Sequence, residues 1–391
     1  MPPIELLVPP ALFALSSAAF FKAIYLSYKD RLYVAPLLFG SAVLSLQTSH
    51  YLTWLTGMNV LWALFSCIWM HHAASVLYID QLSIPRTASF WISAYKIWND
   101  PQRRLSQVSL QRRENTCSPT SRIWFALRRL SWTVLCWLLQ LSIVGPLLSI
   151  HFTFSAEDFE PSRQILIRRM LSLQPEPPFT AREMQIRFYV SVYWIWIAYL
   201  MLELCNTVLA LFFVVILRLD NPEDWTPLFG SPLQAYSIRR FWTKFWHRLA
   251  VAPCVSSGRM ITRRVARLQP GSQHEKISIA FWAFFVSGIF HVVADWASGE
   301  PCYLIDDMFF FVANFLAGAI ESAIGKGLEN AMKRSKNGMV RGLLRSGIVR
   351  KMIGYIWVLG FMFWITPKWQ YRKLHASLTE FSDPQLATRS N

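Results

Sequence analysis

Cysteine is sparse and unpatterned in this chain. The six residues Cys67, Cys117, Cys136, Cys205, Cys254 and Cys302 show no CxxC spacing, and three of them fall inside apolar runs. That argues against both a disulfide framework and a zinc site. HExxH, Walker, GxGxxG and GxSxG arrangements are also missing, which removes the commonest hydrolase and nucleotide-binding classes. No internal repeat or low-complexity tract is visible, so a single domain over 1–391 is expected. Nothing basic precedes the first apolar run and no small-residue cleavage site follows it, which predicts a first helix that is retained.

What the chain does have is apolar mass. Over its 391 residues, 53% are hydrophobic and 15% aromatic, and the mean hydropathy is +0.29. These values point to an all-α protein that crosses a membrane several times. The formal charge of +16 does not form a patch with a nucleic-acid fold signature but lies between the apolar runs, so it reports membrane topology and no nucleic-acid partner.

Eight spans are predicted, at 6–28, 32–52, 58–79, 130–150, 188–217, 277–296, 304–324 and 352–365, the last extended by Trp369 and Tyr371. The seventh is the weakest, because Asp306 and Asp307 at one end and Glu321 at the other leave a short apolar stretch that length alone would allow to re-enter. Loop charge tests the count. Residues 80–129 carry nine basic against three acidic side chains, 218–276 ten against four, and 326–351 eight against one, whereas 151–187 are balanced at five each. Eight crossings put all the basic loops on one face, the cytosolic one. The turn at Pro175-Glu-Pro-Pro178 predicts irregular structure, and the polar tail from Arg372 predicts mobility.

The motif region is 218–297. Taken at about 100° per residue, Phe241, Trp242, Phe245, Trp246 and Leu249 fall on one arc of a helix, with Arg240, Lys244, His247 and Arg248 opposite. This predicts a helix lying on the cytosolic membrane surface, aromatic face down. It is either an interfacial anchor or a basic face for an anionic cosubstrate such as coenzyme A phosphates, with Arg240, Lys244, Arg248 and Trp246 as candidate contacts.

His291 lies about 20 Å into its span at 1.5 Å per residue, a depth at which an ionisable group is a functional candidate. Asp295 follows one turn later and could orient the imidazole, while Gly288 one turn earlier leaves room beside it. The alternative is a core histidine bonded to a neighbouring helix. Imidazole is suited to acid–base work near neutrality. Other polar residues have plainer readings. His71 and His72 point about 100° apart and cannot ligate one metal from one face, so no metal is expected. His50 and His151 sit at span ends. Glu203 and Asn206, mid-span and nearly one turn apart, either line a cavity or lock helices together.

The blocks Asn221-Pro, Pro227-Leu-Phe-Gly-Ser231, Phe241-Trp-x-x-Phe-Trp-His247 and Ser287-Gly-Ile-Phe-His291 together resemble the wax-synthase-like branch of the membrane-bound O-acyltransferases. The resemblance is close over about 75 residues. It implies acyl transfer from an acyl-coenzyme A to an alcohol, with His291 at the catalytic histidine's position and His247 where the motif has Asn or His. Many plant members have asparagine there, which leaves the role of His247 open between acid–base group and hydrogen-bond donor. The smaller fungal members imply acetyl-CoA as cosubstrate, no bound cofactor, and a terpenoid or meroterpenoid alcohol reached from the bilayer. The location implied is the endoplasmic reticulum, with the motif loop in the cytosol. Two readings stay beside this one, a long-chain wax ester synthase and a transporter in which His291, Asp295 and Glu203 form an ion path.

Overall fold

The computed structural model describes residues 4–53, 57–82, 84, 90–100, 102, 118–147, 153–171, 179–334 and 347–382. The expectations for Cys117, His151 and Pro175 to Pro178 lie outside the described residues. Among the described residues, eight helices are long and apolar enough to cross a membrane: α1 (Glu5–Ala23), α2 (Tyr28–Tyr51), α3 (Met58–Ile79), α5 (Pro119–Leu147), α6 (Ala181–Ile216), α8 (Gln273–Ser298), α9 (Leu304–Leu328) and α10 (Gly347–Glu380). Of the shorter helices among the described residues, α4 (Phe90–Trp98) and α7 (Val251–Met260) lie in the basic loops. No strand occurs among the described residues. The protein is an all-α, multi-pass integral membrane protein.

Local chemistry sets several of the boundaries. The Ser27 hydroxyl accepts from Asp30 N and donates to its carboxylate, starting α2. Ser118 caps α5 with Pro119 at its first position, Thr180 caps α6 and Ser272 caps α8; each side chain satisfies an amide that the first turn leaves open. Gly299, at φ +77°, ends α8 in the left-handed conformation that favours glycine. α5 begins eleven residues earlier than its apolar run predicts, because Ser118-Pro119 is a start signal that hydropathy ignores. α9 is one continuous helix through Asp306, Asp307 and Glu321, and its Leu304–Leu328 part is long and apolar enough to cross. Asp307, at one end of its apolar stretch, is fully buried. The tail from Arg372 continues α10 as helix as far as Ser382.

The chain forms two compact units. The first comprises Met1–Arg113 with Arg248–Phe315, and the second Glu114–His247 with Leu316–Asn391.

In the first unit, Phe13, Phe20, Trp69 and Leu77 form the core of α1 to α3, with the Phe13 ring edge-on to Trp62 and Trp69 at 5.6 and 5.0 Å. Arg31 is buried, and its guanidinium donates to the carbonyls of Leu77 and Leu82 at 2.7 Å and of Leu26 at 3.0 Å. It thereby ties the α1–α2 corner to the end of α3, since a buried charge persists only where its donors are satisfied. His72 Nε2 meets the Ile97 carbonyl at 2.9 Å and anchors α4, while His71 Nε2 lies 3.0 Å from Ser257 Oγ on α7.

In the second unit, Arg187 of α6 is fully buried, lying over the rings of Phe363 and Tyr371. Its Nη1 donates to the Phe363 carbonyl at 3.4 Å. Pro367 sits inside α10 and lacks the N–H that would bond the carbonyl four residues back, which is that of Phe363. A side chain from another helix takes over the bond the proline removes.

Candidate active site

The second unit holds the first half of the motif region. Asn221 opens it with a capping box, its N–H donating to Asp224 Oδ2 at 3.1 Å. Trp225 stacks on Phe213 at 5.9 Å and donates from Nε1 to the buried Asp220 carboxylate at 2.9 Å. Glu203 then fastens the loop to α6. Its Oε1 accepts from Leu228 N at 2.7 Å and Phe229 N at 3.4 Å, and its Oε2 accepts from Asn206 Nδ2 at 3.2 Å and pairs with Arg129 Nη1 at 3.4 Å. Arg129 also donates to the Trp225 carbonyl. Of the two readings left open for Glu203 and Asn206, this geometry is the locking one, and what they lock is the motif loop.

From that anchor the loop runs directly to His247. Gly230 N donates to the Phe245 carbonyl at 2.8 Å, and a Cβ on Gly230 would stand 1.9 Å from the Lys244 oxygen, so only glycine lets the two segments meet. Ser237 caps a short helix, Ile238–Arg240, whose first amide donates to Glu321 Oε2 at 2.7 Å.

The predicted surface helix is corrected here. The helix passes into a π-turn over Phe241–Phe245, and Trp246 is extended at ψ 151°, so His247 and Arg248 lie beyond its end and share no helical face with Arg240 and Lys244. Part of its aromatic side is packed inside the protein. Phe241 and Trp246 are buried, stacked on each other at 5.5 Å, with Trp194 4.9 Å from Trp246. Trp246 is thus a core residue, Lys244 is exposed, and Arg240 bonds the Gln234 carbonyl at 3.1 Å and covers the Tyr236 ring. His247 is half-buried, with the Phe229 ring edge-on at 5.7 Å and Trp246 at 5.3 Å. The ring that seats His247 therefore belongs to the residue whose amide Glu203 holds.

The first unit holds the second half. His291 is half-buried on α8, its ring 4.9 Å from that of Phe311 on α9, and Asp295 is buried one turn on. Gly288 admits the neighbouring helix: a Cβ there would lie 2.9 Å from Met308 Sδ and 3.4 Å from Phe311. The room beside the histidine is thus filled by the α9 side chains that pack against it. Arg248, at the start of this unit, is exposed and lines a cavity beside α7.

Among the described residues no group of three potential ligands could hold a metal. Burial pushes the Cys254 thiol up to about 12, which keeps it protonated and a poor nucleophile at neutral pH. Sequence reasoning missed Arg129 and Asp220. The available signal was Glu203 itself, since a mid-span carboxylate needs a cation and Arg129 stands at the head of the adjacent span.

The class is an all-α membrane protein, in each unit of which one histidine is half-buried. Its relatives are found in the same segment: residues 225–313 match the profile of the Membrane bound O-acyl transferase family. The match takes in both His247 and His291. The chain is also similar to acetyltransferase atnC of an Arthrinium species, at 31% identity over 193 residues, 49% of this chain and 42% of that one. Acetyltransferase spyB of Aspergillus fumigatus is 30% identical over 39% of this chain and 26% of its own, and acetyltransferase nanB of Aspergillus nanangensis 32% over 40% and 36%. The matches thus span less than half the length of these curated relatives. No solved structure matches the chain. The resemblance read from the motifs is to the same family and to fungal acetyltransferases within it.

Proposed function

We propose that this protein is an acyl-CoA-dependent O-acyltransferase that moves acetyl from acetyl-CoA to a hydroxyl of a terpenoid or meroterpenoid. The observation that carries the reading is that the family match, 225–313, coincides with the segment holding both histidines and the anchored loop. In the reaction, the hydroxyl oxygen attacks the thioester carbonyl. A C–O bond forms, the C–S bond breaks, and the coenzyme leaves as its thiolate. His291 takes the hydroxyl proton and returns it to the departing sulfur. His247 donates a hydrogen bond to the thioester oxygen as charge develops there. Asp295 orients His291, and Arg240, Lys244 and Arg248 supply positive charge for the phosphates, with Trp246 supporting His247 from beneath. We place the protein in the endoplasmic reticulum with the motif loop cytosolic, working as a single domain.

The test is incubation of microsomes with acetyl-, butyryl- and palmitoyl-CoA and a panel of terpenoid alcohols, read by mass spectrometry. Acetyl esters are expected, and His291→Ala should lower their formation by about 10²–10⁴-fold, the usual share of a general base. Palmitoyl esters in preference to acetyl would move the substrate reading to wax esters. Full activity in His291→Ala would remove the base.

A further inference from the structure

We propose that the cavity beside α7 is a nucleoside-phosphate site that takes the nucleotide end of the acyl donor. Its volume is about 340 Å³, and its lining includes Asp80, Gln102, Arg248, Val255, Ser256 and Arg259, all in the first unit. This volume falls in the range of small-ligand sites, roughly 300–1,000 Å³.

The α7 side of the cavity follows one rule. The lining positions 251, 252, 255, 256 and 259 step by three and four, the repeat of one helical face. One arginine, Arg248, stands just before that face and the other, Arg259, near its end, and Val251, Ala252 and Val255 form an apolar strip between them. Arginine is the side chain best matched to phosphate, because its planar fork pairs with two oxygens at once. Two such groups, one just before the helix and one near its far end, suit a ligand with phosphates at two places. The apolar strip between them suits a flat base.

The opposite wall decides against a plain anion. Asp80 contributes a carboxylate whose two oxygens receive the Ser256 hydroxyl at 2.7 and 2.8 Å, which fixes its orientation toward α7. A carboxylate repels a bare phosphate but accepts from amines and hydroxyls, and the Gln102 amide beside it can do the same. A ligand that satisfies both walls carries phosphates together with hydrogen-bond donors, as a nucleoside phosphate does. Asp80 and Gln102 come from the basic loop 80–129 and the arginines from the basic loop 218–276. Both loops read as cytosolic, where soluble nucleotides are. No glycine-rich loop is involved, so no phosphate-binding motif announces the site in the sequence.

That the nucleotide is the coenzyme's rests on the acyl-CoA reading above, whereas the site itself does not. The experiment therefore reads binding and catalysis separately. Adenosine 3′,5′-bisphosphate is titrated calorimetrically into the detergent-purified full chain, and KM is measured for acetyl-CoA and for acetyl-phosphopantetheine, which lacks the nucleotide. The wild type should bind the bisphosphate. Arg259→Glu should weaken that binding by about tenfold or more, the loss expected for one charge-assisted contact, and should abolish the preference for acetyl-CoA over the truncated donor. Arg264→Glu, the same charge change outside the cavity lining, should keep the wild-type nucleotide affinity. Failure of the wild type to bind the bisphosphate, or equal losses in both variants, overturns the site. Displacement of the bisphosphate by phosphatidylethanolamine nanodiscs but not by free coenzyme A assigns the cavity to a lipid headgroup and likewise overturns it. Nucleotide binding without acyl transfer from any donor leaves the site standing and removes the acyltransferase reading instead.

Discussion

Glu203 is joined through one residue to His247, since it accepts the amide of Phe229, whose ring lies edge-on to the imidazole. It holds two loop amides and one guanidinium, so its loss leaves Arg129 without its carboxylate and the Leu228 and Phe229 amides without their acceptor. Breaking one partner of a buried pair costs about 3–5 kcal/mol, and Glu203→Ala should lower thermal stability in detergent accordingly. Replacing both partners, Arg129→Met with Glu203→Met, should recover most of that stability, because the pair also carries a desolvation cost. The double variant should nevertheless transfer acyl groups poorly. Its loop amides have lost their acceptor, so Phe229 no longer fixes His247. A double variant as active as the wild type would show that the loop is held by something else. The two histidines stand out in the sequence as candidates because an intramembrane ionisable group and a basic aromatic block are visible one residue at a time. Arg129 does not, because its meaning lies in a partner 74 positions away.

At the scale of elements, the spans were legible wherever apolar length alone decides them, and less so where chemistry does. α4 was missed because Phe90–Trp98 is too short for a span and lies in a loop read only for charge. The π-turn at Phe241–Phe245 was missed because a helical wheel assumes that a helix continues, whereas here Gly230 and the Phe245 carbonyl draw the chain out of it. The α6–α10 contact gives a test of element-level coupling. Pro367→Ala restores an N–H for the Phe363 carbonyl, so Arg187 loses its purpose there. Arg187→Met should then destabilise less in the Pro367→Ala background than in the wild type, with a coupling of about 0.5–3 kcal/mol, read from thermal unfolding. Equal costs in both backgrounds would refute the substitution of side chain for helix bond. A second element responds to pH. Burial works to raise the Asp158 carboxyl, but the hydrogen bonds and charge of Arg182, with the Ser155 amide, outweigh it and hold Asp158 below its ordinary value. A depressed carboxyl lends stability that is fully present above the unfolded value, about 3.9, and is lost as pH falls through the folded one. The turn Ala156–Phe159, whose Phe159 ring packs edge-on to Tyr371 at 5.2 Å, should therefore gain hydrogen exchange, relative to the intrinsic rate, below about pH 4. Asp158→Asn should remove that dependence.

The molecule as a whole is organised by where its positive charge lies. Eight crossings place 80–129 and 218–276 on one face and 151–187 on the other, and the charge counts agree with that alternation because arginine and lysine are retained on the cytosolic side during insertion. Linear order is enough to read this, which is why topology could be argued before any packing was known. The division into two units could not, since one boundary falls between His247 and Arg248 and another within α9, where neither composition nor hydropathy changes. The alternation can be checked directly. In sealed microsomes carrying a cysteine-free background, Arg264→Cys should react with a membrane-impermeant maleimide at once, whereas Glu160→Cys should react only after the vesicles are opened with detergent. Both positions are exposed, so accessibility reports sidedness and not burial. Labelling of both positions in intact vesicles would mean an odd crossing has been miscounted between 160 and 264. It would then put the balanced loop on the cytosolic face beside the basic ones, and the charge rule that selected eight spans would no longer support α9 as a crossing.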